Sequence, residues 1–135
     1  MKQFKTLLRE FVSIPSVSTD STYIKNIEKA VTWLVSFMVK SGLEVKTIQG
    51  FGNPIIIAKT PKNPLLKTIL IYGHYDVQPA QKKDGWKSEP FSLTEKNGRL
   101  FGRGSADNKG QILTHLYSVA KLIKEKKLGF NIIFL

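Results

Sequence analysis

The sequence has no cysteine, and it has no apolar run long enough to cross a membrane. The missing thiols exclude a disulfide framework and a thiolate metal site, which fits a reducing compartment. The N-terminus carries Arg9 and Glu10 where a signal peptide would need its apolar segment. These absences predict a cytoplasmic protein with no membrane partner.

Acidic residues are also scarce, with 10 Asp and Glu against 21 Lys and Arg and a formal net charge of +11. A nucleic-acid surface and a solvated lysine-rich surface both produce such a balance. The basic residues are spread along the chain, and their densest cluster, around 121–127, closes a predicted helix, where the helix dipole favours cations. No aromatic side chains alternate with them. We therefore predict no nucleic-acid partner, with nucleic-acid binding kept as the weaker alternative.

Apolar periodicity predicts three helices and several strands. Apolar residues at helical spacing indicate helices over 4–12, 24–38 and 112–123. Strands are predicted at 43–49, 54–58, 67–72 and 130–135, with a hairpin of 91–95 and 99–101 around Asn97-Gly98. The strand at 67–72 is expected to be buried. This alternation predicts an α/β three-layer sandwich, with a mostly parallel sheet and helices on both faces.

The domain organisation is predicted to be a single, incomplete domain over 1–135. No internal repeat or linker divides the chain. The last apolar run, Ile132–Leu135, is expected to continue into a loop, because the carboxyl ends of such strands are where α/β proteins bind ligands. A terminal edge strand is the alternative. The uncovered edge of the last strand is expected to promote self-association.

The first cluster with chemical potential is Tyr72-Gly-His74-Tyr-Asp76-Val-Gln-Pro79, which follows the predicted strand at 67–72. His74 should therefore lie near the carboxyl end of that strand. A neutral imidazole binds a transition metal through one ring nitrogen while a carboxylate often holds the other N–H. Asp76 could be that carboxylate or a ligand. A loop histidine beside a turn aspartate is the plainer alternative.

The second cluster is Gly102-Arg-Gly-Ser-Ala-Asp107-Asn-Lys-Gly110. Asp107 stands just before a predicted helix, where it could cap the helix or offer an oxygen ligand in a crevice shared with His74. The glycines do not complete a phosphate-binding motif. Lys109 is expected to be the first exposed residue of the helix, and Arg103 to form an ion pair, either with a carboxylate near the metals or elsewhere. Trp86 is expected to pack the preceding loop.

Together these strings resemble the two-metal exopeptidases, a family that includes carnosine-type dipeptidases, aminoacylases, acetylornithine deacetylase and succinyl-diaminopimelate desuccinylase. The matching segments are Gly73–Pro79, Asp84–Trp86, Pro90–Phe91 and Gly98–Gly110, in this order and spacing. The sequence around His74 and Trp86 is most similar to the dipeptidase branch. The resemblance implies a zinc-exopeptidase-like fold and a hydrolase that cleaves peptide or amide bonds of small peptides or N-acyl amino acids.

The resemblance also implies a role for each site residue. His74 corresponds to a terminal metal ligand, Asp76 to the catalytic-site carboxylate that orients His74, and Asp107 to the aspartate bridging two ions. The peptide bond after Asp107 is cis in relatives. Two divalent ions are implied, zinc first, with cobalt or manganese as alternatives. They would polarise the scissile carbonyl and supply a hydroxide near neutral pH.

The chain departs from the family in its ligand inventory. These residues do not include the family's general-base glutamate, its further metal ligands or its dimerisation domain. The dimerisation domain of relatives implies a homodimer for the whole protein. His115, the other histidine, lies beside the apolar stripe of its helix and is expected to be structural or solvent-facing. Because a catalytic zinc site needs three protein ligands, the chain alone is expected to be inactive. A non-catalytic remnant or a weak metal-binding module on the same fold is the alternative.

Overall fold

The computed structural model describes residues 2–50 and 52–135. It divides into two compact units, which we call the ribbon unit and the sheet unit. The ribbon unit comprises Met1–Ala30 with His74–Leu113, and the sheet unit comprises Val31–Gly73 with Thr114–Leu135. Each unit combines an early and a late stretch of the chain. The assignment of 1–135 to one catalytic domain stays a prediction.

Three α-helices form where the apolar periodicity predicts them: α1 Lys2–Val12, α2 Ile24–Lys40 and α3 Lys109–Lys124. Asp20 opens the turn before α2, because its carboxylate accepts hydrogen bonds from the Thr22 hydroxyl and amide, which hold the pKa of Asp20 below its usual range. Gly42 ends α2 with a φ of +86°, a conformation that glycine adopts without steric cost. Among the described residues, no helix combines the length and apolar character needed to cross a membrane.

The sheet unit contains a four-stranded sheet in the order β1-β2-β6-β3. Its strands are β1 Glu44–Ile48, β2 Ile55–Lys59, β3 Thr68–Ile71 and β6 Asn131–Phe134. The β1–β2 and β2–β6 pairs are antiparallel, and only β3–β6 is parallel. The α/β class is confirmed, whereas the expectation of a mostly parallel sheet is wrong for these strands. Strand direction depends on the connections, which apolar composition does not encode.

Burial in this sheet also differs from expectation. The strand β3 lies at the edge, with Leu70 61% and Ile69 39% exposed, so its predicted burial is wrong. The last strand, β6, lies inside the sheet and buries Ile132 and Phe134. The exposed apolar edge therefore belongs to β3 and not to the last strand. An apolar run alone does not distinguish an edge strand from a central one.

The ribbon unit contains a second, two-stranded sheet formed by β4 Thr94–Lys96 and β5 Arg99–Phe101. Asn97 and Gly98 connect the strands with φ angles of 52° and 73°, as in the tight hairpin turn that this dipeptide favours. The core of the unit joins α1 to the loop after β5 and to the start of α3. Its buried apolar residues include Leu8, Phe11, Val12, Val17, Ile27, Val77, Leu93, Ile112 and Leu113.

Candidate metal centre

His74 lies three residues after β3, in a loop of the ribbon unit, and its ring is held from one side. Its Nδ1 lies 3.1 Å from the carbonyl oxygen of Asp76 and 3.0 Å from Asp76 Oδ1. A carbonyl oxygen only accepts hydrogen bonds, so Nδ1 must carry the proton. The Asp76 carboxylate therefore orients the ring, and Nε2 is the nitrogen that faces outward.

Asp107 reaches the same point from the loop between β5 and α3. Its Oδ1 lies 3.1 Å from His74 Nε2, and its side chain is 85% exposed. The peptide bond between Asp107 and Asn108 is cis, as the resemblance implies. Asn108 joins the two loops, because its Oδ1 accepts a 3.2 Å hydrogen bond from the backbone amide of His74. The side chains of 74 and 107 thus converge, although β5 belongs to the two-stranded sheet and not to the sheet containing β3.

The contact brings a ring nitrogen close to a carboxylate oxygen, so a proton or a cation between the two atoms would stabilise it. With the proton on Nδ1, a neutral ring directs the lone pair of Nε2 toward the carboxylate oxygen of Asp107, which is also an acceptor. Either a proton on Nε2 or a cation shared by both atoms relieves the repulsion. Zinc bonds of about 2.0–2.2 Å in tetrahedral geometry separate two ligand atoms by about 3.4 Å. The observed 3.1 Å needs only a small adjustment, so the donor set fits a metal ion.

The described residues do not form a metal site of three ligands. Within 2–50 and 52–135, no three His, Asp, Glu or Cys side chains are placed so that they could hold one metal ion together. His115 lies exposed on α3, as expected for a solvent-facing residue. A histidine oriented by one carboxylate and facing a second, exposed carboxylate is therefore the full extent of the centre in this part of the chain.

The glycine-rich loop before α3 is shaped by close packing. A Cβ atom on Gly110 would lie 1.9 Å from the carbonyl oxygen of Ser105, and one on Gly102 would lie 2.9 Å from Val12 Cγ1. Gly104 combines a φ of +86° with a similarly close approach to Val77 Cγ1. These glycines let the loop fold tightly against its neighbours and carry Asp107 to its position. This packing accounts for the glycines without a phosphate ligand.

Lys109 corrects the sequence-based expectation most clearly, because it is fully buried and not exposed. Its Nζ donates hydrogen bonds of 3.0 Å to Phe11 O and 2.5 Å to Ile14 O, and it lies 5.0 Å from the centroid of the Phe11 ring. Burial lowers the pKa of Lys109 to about 7, against the opposing influence of the Asp76 charge. The ammonium group joins the end of α1 to the start of α3.

Arg103 also differs from expectation. No ion pair found in the described ranges includes Arg103, so neither expected pairing occurs there. Its guanidinium carbon lies 5.4 Å from the centroid of the Trp86 ring, and Nη2 lies 3.5 Å from Pro79 O. Arg103 therefore packs against Trp86 and Pro79, in the loop that precedes β4, which matches the expectation for Trp86.

Sequence reasoning missed three polar residues around the centre: Ser18, Asn108 and Lys109. Ser18 donates a 2.5 Å hydrogen bond to Asp76 Oδ2 across 58 residues of sequence, so no local pattern could reveal it. Asn108 and Lys109 lie inside the motif 98–110 that carries the family resemblance, and this location could have marked them as site residues.

The structure is that of an α/β protein in which one histidine lies between two carboxylates. A profile described as Peptidase family M20/M25/M40 matches residues 70–135, which include His74, Asp76 and Asp107. The Cys-Gly metallodipeptidase dug1 of Schizosaccharomyces pombe is 37% identical over 140 residues, and the Beta-Ala-His dipeptidase of Rattus norvegicus is 49% identical over 67 residues. The latter match covers 50% of this chain and 14% of the rat protein. The crystal structure of human carnosine dipeptidase 1 superposes with a TM-score of 0.92 at 31% identity.

These similarities extend over nearly all of this chain but over a minor part of the relatives. The match to the Schizosaccharomyces pombe protein covers 96% of this chain and 29% of that protein. The match to human carnosine dipeptidase 1 covers 98% of this chain and 31% of that one. The chain belongs to the M20/M25/M40 peptidase family, and its relatives include dipeptidases.

Proposed function

We propose that His74 and Asp107 are ligands in the divalent-metal centre of a dipeptidase or N-acyl-amino-acid deacylase, with Asp76 orienting His74. The observation that carries this proposal is the 3.1 Å contact between His74 Nε2 and Asp107 Oδ1, because a shared cation would hold these two atoms at about this separation. Membership of a peptidase family supports the same chemistry. Imidazole and carboxylate ligands suit zinc first, and cobalt or manganese as alternatives.

Each residue has a distinct part in this centre. Divalent ions, when bound, would polarise the scissile carbonyl and lower the pKa of a water molecule, so that hydroxide is available near neutral pH. Asp76 keeps the proton on Nδ1, which leaves the Nε2 lone pair of His74 for an ion. Asp107 is exposed enough for its carboxylate to serve two ions, and bridging is the role we assign to it. The substrates we propose are dipeptides and N-acyl amino acids.

We further propose that the 135 residues alone do not turn over substrate. A catalytic zinc site has three protein ligands, and the described residues offer two that converge. The remaining ligands and a general base must come from other residues of a complete catalytic domain. A weak metal-binding module without catalysis is the second candidate, favoured by the same two-ligand inventory. Homodimerisation and a cytoplasmic location of the whole protein stay predictions.

A chimera tests the proposal. This chain would replace the aligned segment of the Schizosaccharomyces pombe dipeptidase, and the chimera would be assayed with dipeptides and N-acyl amino acids in added zinc, manganese or cobalt. We expect metal-dependent hydrolysis that His74→Ala and Asp107→Ala each abolish. His115→Ala is the matched control, because it removes an exposed imidazole outside the centre.

The outcomes separate the candidates. The isolated chain should bind an ion without hydrolysing any substrate. A folded chimera that binds metal but stays inactive would favour the non-catalytic module. A chimera whose activity survives His74→Ala would refute the assignment of His74.

A further inference from the structure

The segment that follows α1 is fastened to the loop that carries His74. Ser16 is fully buried, and its hydroxyl donates a 2.6 Å hydrogen bond to the carbonyl oxygen of Tyr75. The backbone amide of Val77 donates to Ser16 O at 2.9 Å, and Val17 forms an isolated parallel bridge with Val77. Side-chain and backbone contacts therefore hold residues 16–17 along the loop that contains Asp76.

Ser18 ends this segment at the Asp76 carboxylate. Its hydroxyl donates a 2.5 Å hydrogen bond to Asp76 Oδ2, while the other oxygen, Oδ1, accepts from His74 Nδ1 at 3.0 Å. A carboxylate held at both oxygens cannot rotate about its terminal bond without breaking a charge-assisted hydrogen bond. The serine therefore fixes the plane of the group that orients the imidazole.

Lys109 fixes the other end of the same segment. Its two hydrogen bonds, to Phe11 O and Ile14 O, restrain the chain where it leaves α1. Because the lysine begins α3, the helix that follows Asp107, this anchor relates the segment to the second candidate ligand. Hydrogen bonds and the backbone of residues 14–18 therefore connect Lys109 to Asp76 and His74 without a break.

We infer that Ser18 is a positioning residue for the metal centre, acting through Asp76 on the direction and basicity of His74 Nε2. This inference rests on the proposed function, because its consequence is the affinity for a divalent ion. Loss of a direct partner of a metal-bound histidine weakens metal binding about 10- to 100-fold. Ser18 acts one hydrogen bond further away, so we expect roughly a 3- to 10-fold loss, smaller than that range.

The experiment compares Ser18→Thr with Ser18→Val in the 135-residue chain. Thr and Val have the same shape, so a steric cost at this half-buried position is common to both, and only Thr keeps the hydroxyl. Zinc affinity would be measured by calorimetry, with the His74 ring followed by ¹⁵N NMR. The absence of cysteine leaves no thiol to compete for the ion. Ser13→Ala is the control, since Ser13 is exposed and its hydroxyl donates to the Glu10 carbonyl of its own helix end.

We expect Thr and the control to bind within about twofold of the parent chain, and Val to bind 3- to 10-fold more weakly. Equal affinity of Thr and Val would overturn the inference while leaving the proposed metal site intact. A parent chain that binds no zinc would overturn the proposed function and this inference with it. If the Val variant does not fold, Ser18→Ala compared with the parent chain gives the same discrimination.

Discussion

The buried ammonium group of Lys109 should make stability rise with pH. Burial lowers the pKa of Lys109 from 10.5 to about 7 in the folded chain. Between these values the unfolded chain holds a proton that the folded chain has released, so raising the pH favours folding. At about 1.36 kcal/mol per pH unit, the gain from pH 7 to pH 9.5 is about 3 kcal/mol. Solvent screens this charge little, because Lys109 is 0% exposed.

The assay is urea unfolding at pH 7 and pH 9.5, followed by tryptophan fluorescence, for the parent chain and Lys109→Met. The upper limit of pH 9.5 matters because burial, and then the Asp76 charge, raise the pKa of Tyr75 to about 12. Above pH 10 the folded chain keeps that proton, and stability falls again. Lys109→Met should remove the rise, whereas Lys124→Met, at an exposed position, should keep it. A parent chain with equal stability at both pH values would refute the reasoning.

Three further predictions concern packing and association. Gly110→Ala should destabilise the chain by more than about 3 kcal/mol in urea unfolding, since the new Cβ would overlap Ser105 O. Gly129→Ala is the control and should be near neutral, because its Cβ would meet no atom within 4 Å. Asn131→Ala should cost about 2–4 kcal/mol, because the buried amide loses three hydrogen bonds to the turn at 63–66; an unchanged midpoint would contradict this. Leu70→Lys, on the exposed edge strand β3, should reduce self-association as measured by size exclusion. An unchanged elution profile would count against β3 as the edge through which chains associate.

Local patterns predicted most elements because each element follows from a short stretch of sequence. The helical spacing of apolar residues located α1, α2 and α3, and Asn97-Gly98 located the hairpin. The sheet could not be predicted in the same way. The apolar content of β3 suggested a central strand, but its position at the edge depends on pairing with β6, more than 60 residues away.

The site was predictable to a similar depth. The motif strings and the family resemblance singled out His74, Asp76 and Asp107, and in the structure both aspartates lie within 3.1 Å of a His74 ring nitrogen; their roles stay predictions. Lys109 was misjudged because a lysine at the start of a helix is usually solvated, and its burial is explained by the carbonyls of Phe11 and Ile14, which are distant in sequence. Ser18 was missed because its contact with Asp76 exists only in three dimensions.

The central claim is that His74 and Asp107 share a cation, and a zinc titration of the ¹⁵N-labelled chain tests it most directly. We predict saturable binding that shifts the Nε2 resonance of His74, keeps the proton on Nδ1, and is lost in Asp107→Ala. His115→Ala should titrate like the parent chain, because that imidazole is exposed on α3. A His74 ring that is unchanged at saturating zinc, or that titrates equally without the Asp107 carboxylate, would contradict the account.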